Sequence, residues 1–186
     1  MDVFRAFQKF PEEAKLIGCI LGGYTDLEID LMYCVNAARN DFDTLLKSMY
    51  RVRGESKRVD VADAFGRQAY IALGFGAQFE KAIGAMRYCI KIRNQYAHCV
   101  WWDDNTGQLA FAAIEDIAEL NEPVENFKEM QTRHTSVELL TAQFAYFEYT
   151  SNFFYGLLHE GNQKPGLNGK PLYTIPEEKL RPGLYL

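Results

Sequence analysis

The stretch QFEKAIGAMRYCIKIRNQYAH, residues 78–98, carries the helical signal around which the chain is read. At about 100° per residue, Ile83, Met86, Ile90 and Ala97 share one face of a helix over about Gln78–Ala97, flanked by Ala82 and Cys89. Arg93 falls near the middle of that apolar face. Arg87, Lys91, Asn94 and His98 gather within about 60° of one another on the adjoining polar side. An apolar stripe of this width must be buried against other elements, and with helical patterns before and after it the chain reads as all-α.

The chain upstream supplies them. Pro11-Glu12-Glu13 has the composition of a first helical turn, with proline tolerated and acids favoured there. A long helix then extends to about residue 38, with Leu16, Ile17, Ile20, Tyr24, Leu27, Leu31 and Val35 on one stripe. Gly22-Gly23 interrupts it at a cost in helix stability, while permitting the close approach of a neighbouring helix. Glu28 lies inside the apolar stripe, where a carboxylate must be paired, hydrogen-bonded or at an interface. Arg93 is the cation expected to pair with it. A second helix is expected over about Asp41–Val52 and a third over about Val59–Leu73. Between them, Arg51-Val52-Arg53-Gly54-Glu55-Ser56-Lys57-Arg58 holds four cations and one acid. It reads as a loop, either simply solvated or contacting phosphate.

Downstream of His98 the texture changes. Residues 99–113 read as a β-hairpin turning at Asp104-Asn105-Thr106-Gly107. Its strands include Trp101 and Trp102, the only two tryptophans, which serve either as packing or as a base-stacking platform. Residues 115–120 suit a short helix that Pro123 ends. A last long helix is expected from about Ser136, as N-cap, to Leu158, with Leu139, Leu140, Phe144, Phe147, Phe154, Leu157 and Leu158 inward. After residue 158 come four of the six prolines and four glycines. This composition reads as an extended tail held against the chain or a partner. The expected organisation is one helical domain over residues 1–158 with a tail over 159–186.

Composition limits the functions available. A chain of 186 residues with 48% hydrophobic residues is long enough and apolar enough for a substantial core. Its net charge of −5 argues against sequence-independent nucleic-acid binding over a broad surface. Any such contact must be local, made by a few cations. The N-terminus lacks a signal-peptide pattern and no window suggests a membrane span, so a cytoplasmic chain without membrane contact is expected. Cys19, Cys34, Cys89 and Cys99 have no Cys-x-x-Cys spacing and read as reduced, mostly buried thiols. No metal site is expected from scattered histidines. No dinucleotide-binding glycine pattern and no Gly-x-Ser-x-Gly elbow occurs.

Arg93-Asn94-x-x-x-His98 resembles the Arg-x4-His motif of the HEPN superfamily (higher eukaryotes and prokaryotes nucleotide-binding domains). Residues 14–111 resemble prokaryotic members of the mannitol operon repressor type. The resemblance implies an antiparallel helical bundle, here with a small β-hairpin after the motif helix, that forms a homodimer with motif helices facing each other. In catalytic members such a pair cleaves RNA without metal or cofactor. Carried onto this sequence, His98 is the general acid/base, Arg93 steadies the phosphate charge, and Asn94 positions the phosphate or the His98 ring. Arg87 and Lys91 are the neighbouring substrate-binding cations read from the helix face. Val100 departs from the nucleotidyltransferase-paired toxins, which carry tyrosine two residues after the histidine.

Two functions follow as expectations. One is a metal-independent endoribonuclease, a toxin or stress-defence effector, with RNA as substrate and an antitoxin or other protein as partner. The other is a non-catalytic regulator or scaffold of the same type that acts through protein contacts or a bound nucleotide.

Overall fold

The computed structural model describes residues 3–119, 132–162 and 173–185. It is mostly helical, with one small antiparallel sheet. The elements are α1 (Val3–Lys9), α2 (Pro11–Arg39), α3 (Phe42–Arg51), α4 (Glu55–Ala72) and α5 (Gly76–Ala97), then β1 (Cys99–Asp103) and β2 (Leu109–Ala113), followed by α6 (Ile114–Ala118), β3 (Arg133–Thr135) and α7 (Val137–Asn162). No described helix is long and apolar enough to cross a membrane.

The helix boundaries have local causes. Asp41 caps α3, its Oδ1 accepting from Thr44 N at 3.4 Å. Ser136 does the same for α7, accepting from Leu139 N at 3.3 Å, as its position before the apolar run predicts. At the end of α4, Gly74 takes φ +84°. Gly74 N donates to Ile71 O and Phe75 N to Tyr70 O, the pair of bonds that closes a helix around a left-handed glycine. Two boundaries differ from expectation. The cation-rich stretch 51–58 is not a loop throughout: Arg51 ends α3, Gly54 precedes α4, and Lys57 and Arg58 are already helical. α2 is continuous through Gly22-Gly23, and an added Cβ at either would meet nothing within 4 Å, so no close neighbour answers them among the described residues.

The hairpin register runs from Cys99 opposite Ala113 to Asp103 opposite Leu109. β3, which the sequence did not suggest, adds a third strand beside β2, with Phe111 opposite Arg133 and Leu109 opposite Thr135. Alternation therefore sends the two tryptophans to opposite faces. Trp101 lies 5.1 Å from Phe111, 5.6 Å from Phe7 and 5.8 Å from Tyr96 between ring centroids. Trp102 joins Ala110, Ala112 and Val100. Both indoles are buried, which is the packing alternative.

By its contacts the chain divides into two compact units. The first comprises residues 1–22, 91–145 and 181–186, and its core includes Ile92, Tyr96, Trp101, Phe111 and Leu140. Among these, Tyr96 Oη donates to Gln143 Oε1 at 2.8 Å, both residues being buried. The second comprises residues 23–90 and 146–180. At its centre Tyr70 stacks on Phe79 at 4.7 Å and donates to Cys34 O at 2.8 Å. Burial pushes the Cys34 and Cys89 thiols up to about 12, so both are neutral thiols at physiological pH. Cys99 is half-buried and Cys19 exposed.

Candidate functional site

The last two turns of α5 belong to the first unit, and burial there follows the helical period. Ile92 and Tyr96, four residues apart, point into the core. Lys91, Asn94 and His98 are exposed, and Arg93 is half-buried. Tyr96 is the anchor. Its hydroxyl bond to Gln143 fixes this face of α5 against α7, and burial pushes its own ionisation up to about 12.

The backbone around His98 is held from both sides. Cys99 Sγ donates to Gln95 O at 2.6 Å, taking up one of the carbonyls that a helix end leaves over. Ile114 N donates to His98 O at 2.9 Å, tying the residue to the end of β2. The imidazole itself is exposed and makes no hydrogen bond among the described residues. One turn earlier, Arg93 Nη1 donates to Asn94 Oδ1 at 3.1 Å. Asn94 and His98 are spaced four apart, and such residues neighbour each other on a helix surface. The amide thus orients a guanidinium on the same surface that presents the imidazole. Lys91 is exposed one turn earlier again. These four groups combine an imidazole, a delocalised guanidinium held by an amide, the amide itself and an exposed ammonium.

Arg87 and Glu28 lie in the second unit, and each is engaged there. Arg87 Nη2 donates to Asp60 Oδ1 at 2.9 Å and Asp63 Oδ2 at 3.2 Å. Asp63, a buried carboxylate, also receives a two-point contact from Arg67, with bonds of 3.0 and 2.8 Å. The cation offered as a substrate contact is therefore committed to two carboxylates. Glu28 is 2% exposed and accepts from Arg58 Nη1 at 3.3 and 3.2 Å and from Tyr50 Oη at 3.1 Å. The sequence reading offered Arg93 for this role, but the cation set against Glu28 is Arg58. A carboxylate so placed did need partners, as its position in the apolar stripe required.

A second polar cluster was missed. Asp104, in the hairpin turn, lies 2.7 Å from His134 Nε2 and accepts from the Thr106 hydroxyl at 2.6 Å and from Thr106 N at 3.1 Å. Partial burial works against its ionisation, but the Thr106 and His134 bonds outweigh that and hold the carboxyl at about 2. An ionised carboxylate only accepts, so Nε2 of His134 carries the proton. The Thr106 hydroxyl donates to Asp104 and not to the ring, so the trio is not arranged to activate a nucleophile. No signal in the sequence pointed to it, because it depends on β3 pairing with β2. Among the described residues no group of three or more His, Cys, Asp or Glu is placed to hold a metal ion. Comparison with family models, curated proteins and solved structures gives no match to this chain.

Proposed function

We propose that the chain is a metal-independent endoribonuclease of the HEPN type, acting as a homodimer, with His98 as its general acid/base. The observation that carries this reading is the exposed His98 ring on a pinned backbone, one helical turn from the Arg93–Asn94 pair. The chemistry suits the groups. An imidazole takes the proton of an RNA 2′-hydroxyl as its oxygen attacks the adjacent phosphorus. The bond to the 5′-oxygen breaks, and that oxygen receives a proton from a second acid, which a second copy's His98 supplies in a dimer. Charge accumulates on the non-bridging oxygens, where a fixed guanidinium lowers the barrier. The products are a 2′,3′-cyclic phosphate and a 5′-hydroxyl. Lys91 adds a cation for the substrate backbone. A toxin or defence role, with an antitoxin as protein partner, belongs to the same proposal.

The test is cleavage of a mixed RNA pool by purified protein in excess chelator. His98→Ala should abolish cutting while leaving the melting temperature unchanged, because the ring is exposed and makes no hydrogen bond among the described residues. An intact pool with the wild-type protein at micromolar concentration removes this reading.

One observation favours a second reading, a non-catalytic regulator or scaffold of the same type. Arg87 is bound to Asp60 and Asp63, which reduces the cationic surface available on α5. On that reading Arg93→Ala lowers the melting temperature or weakens the dimer, and RNA is left whole.

A further inference from the structure

The corner between α3 and α4 concentrates cations in a way the active-site proposal does not use. Arg51 is the last residue of α3, Val52 is extended, Arg53 follows, and Gly54 at φ +90° immediately precedes α4. Lys57 and Arg58 come in the first turn of α4, and Glu55 is the one acid in the stretch. Arg51, Arg53 and Lys57 are exposed and have no carboxylate partner among the described residues. In a chain with net charge −5, three exposed cations within seven residues, none paired with a carboxylate among the described residues, are a local reversal of field.

Beside them stands Tyr50, an aromatic ring 42% exposed. It is anchored, not loose: its hydroxyl donates to the buried Glu28, and the Arg58 guanidinium lies 4.8 Å from its ring centroid. Glu28 holds both, since Arg58 donates to the same carboxylate. A buried acid thus pre-positions an exposed ring, so little side-chain freedom is lost when a ligand stacks on it. Free cations next to a fixed, exposed aromatic are the features that bind single strands: phosphates meet the cations and a base meets the ring.

We propose that the α3–α4 corner docks single-stranded nucleic acid, with phosphates on Arg51, Arg53 and Lys57 and a base against Tyr50. This surface binds whether or not the His98 motif cleaves. A lipid surface would use the cations but would gain nothing specific from a ring anchored at its hydroxyl end.

The experiment is fluorescence anisotropy with a labelled 2′-O-methyl RNA of mixed sequence, about 20 nucleotides long and thus longer than common single-domain footprints. This probe cannot be cut through its 2′-oxygen, so binding is read separately from cleavage. The full chain is titrated at several salt concentrations between about 50 and about 200 mM. The triple substitution Arg51→Gln, Arg53→Gln, Lys57→Gln should weaken binding at least tenfold at low salt. It should also flatten the slope of log affinity against log salt by about 2, three phosphate contacts at roughly 0.7 each. Tyr50→Leu should weaken binding about fivefold or more with the slope unchanged, and Tyr50→Phe, which keeps the ring but loses its anchor to Glu28, should weaken binding less than Tyr50→Leu does. Because this probe cannot be cut, loss of its binding reports on this proposal alone, while cleavage of unmodified RNA reports on the nuclease reading. The proposal is overturned if the triple variant matches the wild type in affinity and slope. It is equally overturned if the wild type ignores the probe, including the outcome in which it binds phosphatidylserine vesicles instead. The three substituted side chains are exposed, so the triple variant keeps the test open if a Tyr50 variant fails to fold.

Discussion

Single side chains set the pH range over which the first unit is secure. The Asp104 carboxyl is held at about 2 against an ordinary value of 3.8. A group whose folded value is depressed stabilises the fold above its unfolded value, and that stability is lost as pH falls from about 4 to about 2. Asp104→Asn should therefore lower the melting temperature at pH 7, and the gap from wild type should close on titration to pH 2. A constant gap across that range would show that shape, not charge, explains the effect. In the core, Tyr96→Phe removes the donor to Gln143 and leaves a buried amide oxygen short of a partner. The expected cost is about 1–3 kcal/mol, read from urea denaturation. The need of Glu28 for partners was legible in the sequence, because its place in a 3.6-residue stripe implied burial. Which cation would answer was not. Arg58 is 30 residues distant and sits in a stretch whose composition imitates a solvated loop. His98, Asn94 and Lys91 stand exposed on one helical surface, as the helical wheel indicated.

Periodicity made whole elements legible wherever an apolar stripe ran for three turns or more. α2, α5 and α7 were read within a few residues of their observed ends. Short elements escaped for the complementary reason. β3 is only Arg133–Thr135, too brief to alternate, and it exists because β2 offers an edge for it to pair with. α4 begins earlier than expected because Gly54, not a side-chain cap, precedes it. The interior glycines of α2 give the clearest prediction at this scale. Gly22 is exposed and an added methyl would meet nothing within 4 Å, so the helix bears the conformational cost of glycine with no packing gained among the described residues. Gly22→Ala should raise stability by up to about 1 kcal/mol, measured by thermal or urea denaturation. A loss of stability would mean that this face is covered in the molecule as it exists in solution. Sedimentation of the same variant would then show whether a second copy covers it.

At the scale of the whole chain, the first unit draws on residues far apart in sequence: 1–22, 91–145 and 181–186. In its last segment, residues 181–185 have neither helix nor strand, yet they supply main-chain acceptors to donors on α5 and α7. Gln143, fully buried, donates through Nε2 to Gly183 O at 2.8 Å and Leu184 O at 2.9 Å, and Gln95 also donates to Leu184 O. The Arg133 guanidinium lies 4.6 Å from the Tyr185 ring centroid. In the second unit the segment before it runs so close to α7 that a methyl on Gly156 would lie 2.9 Å from backbone atoms of Ile175. Backbone cannot move aside as a flexible side chain can, so Gly156→Ala must displace this segment or shift the helix. A proline-rich ending suggested an extended tail over 159–186; residues 159–162 instead continue α7, residues 163–172 and 186 lie outside the described residues, and residues 173–185 have neither helix nor strand. Composition carries no record of the acceptors that this last stretch returns to the core. Ending the chain after Leu180 would leave the Gln143 amide buried with two of its bonds broken, at roughly 1–3 kcal/mol for the unsatisfied group. The truncated chain should therefore show a lower urea midpoint and faster amide exchange around Gln143 and Tyr96. If both match the full chain, residues 181–185 only lie on the first unit and do not hold it together.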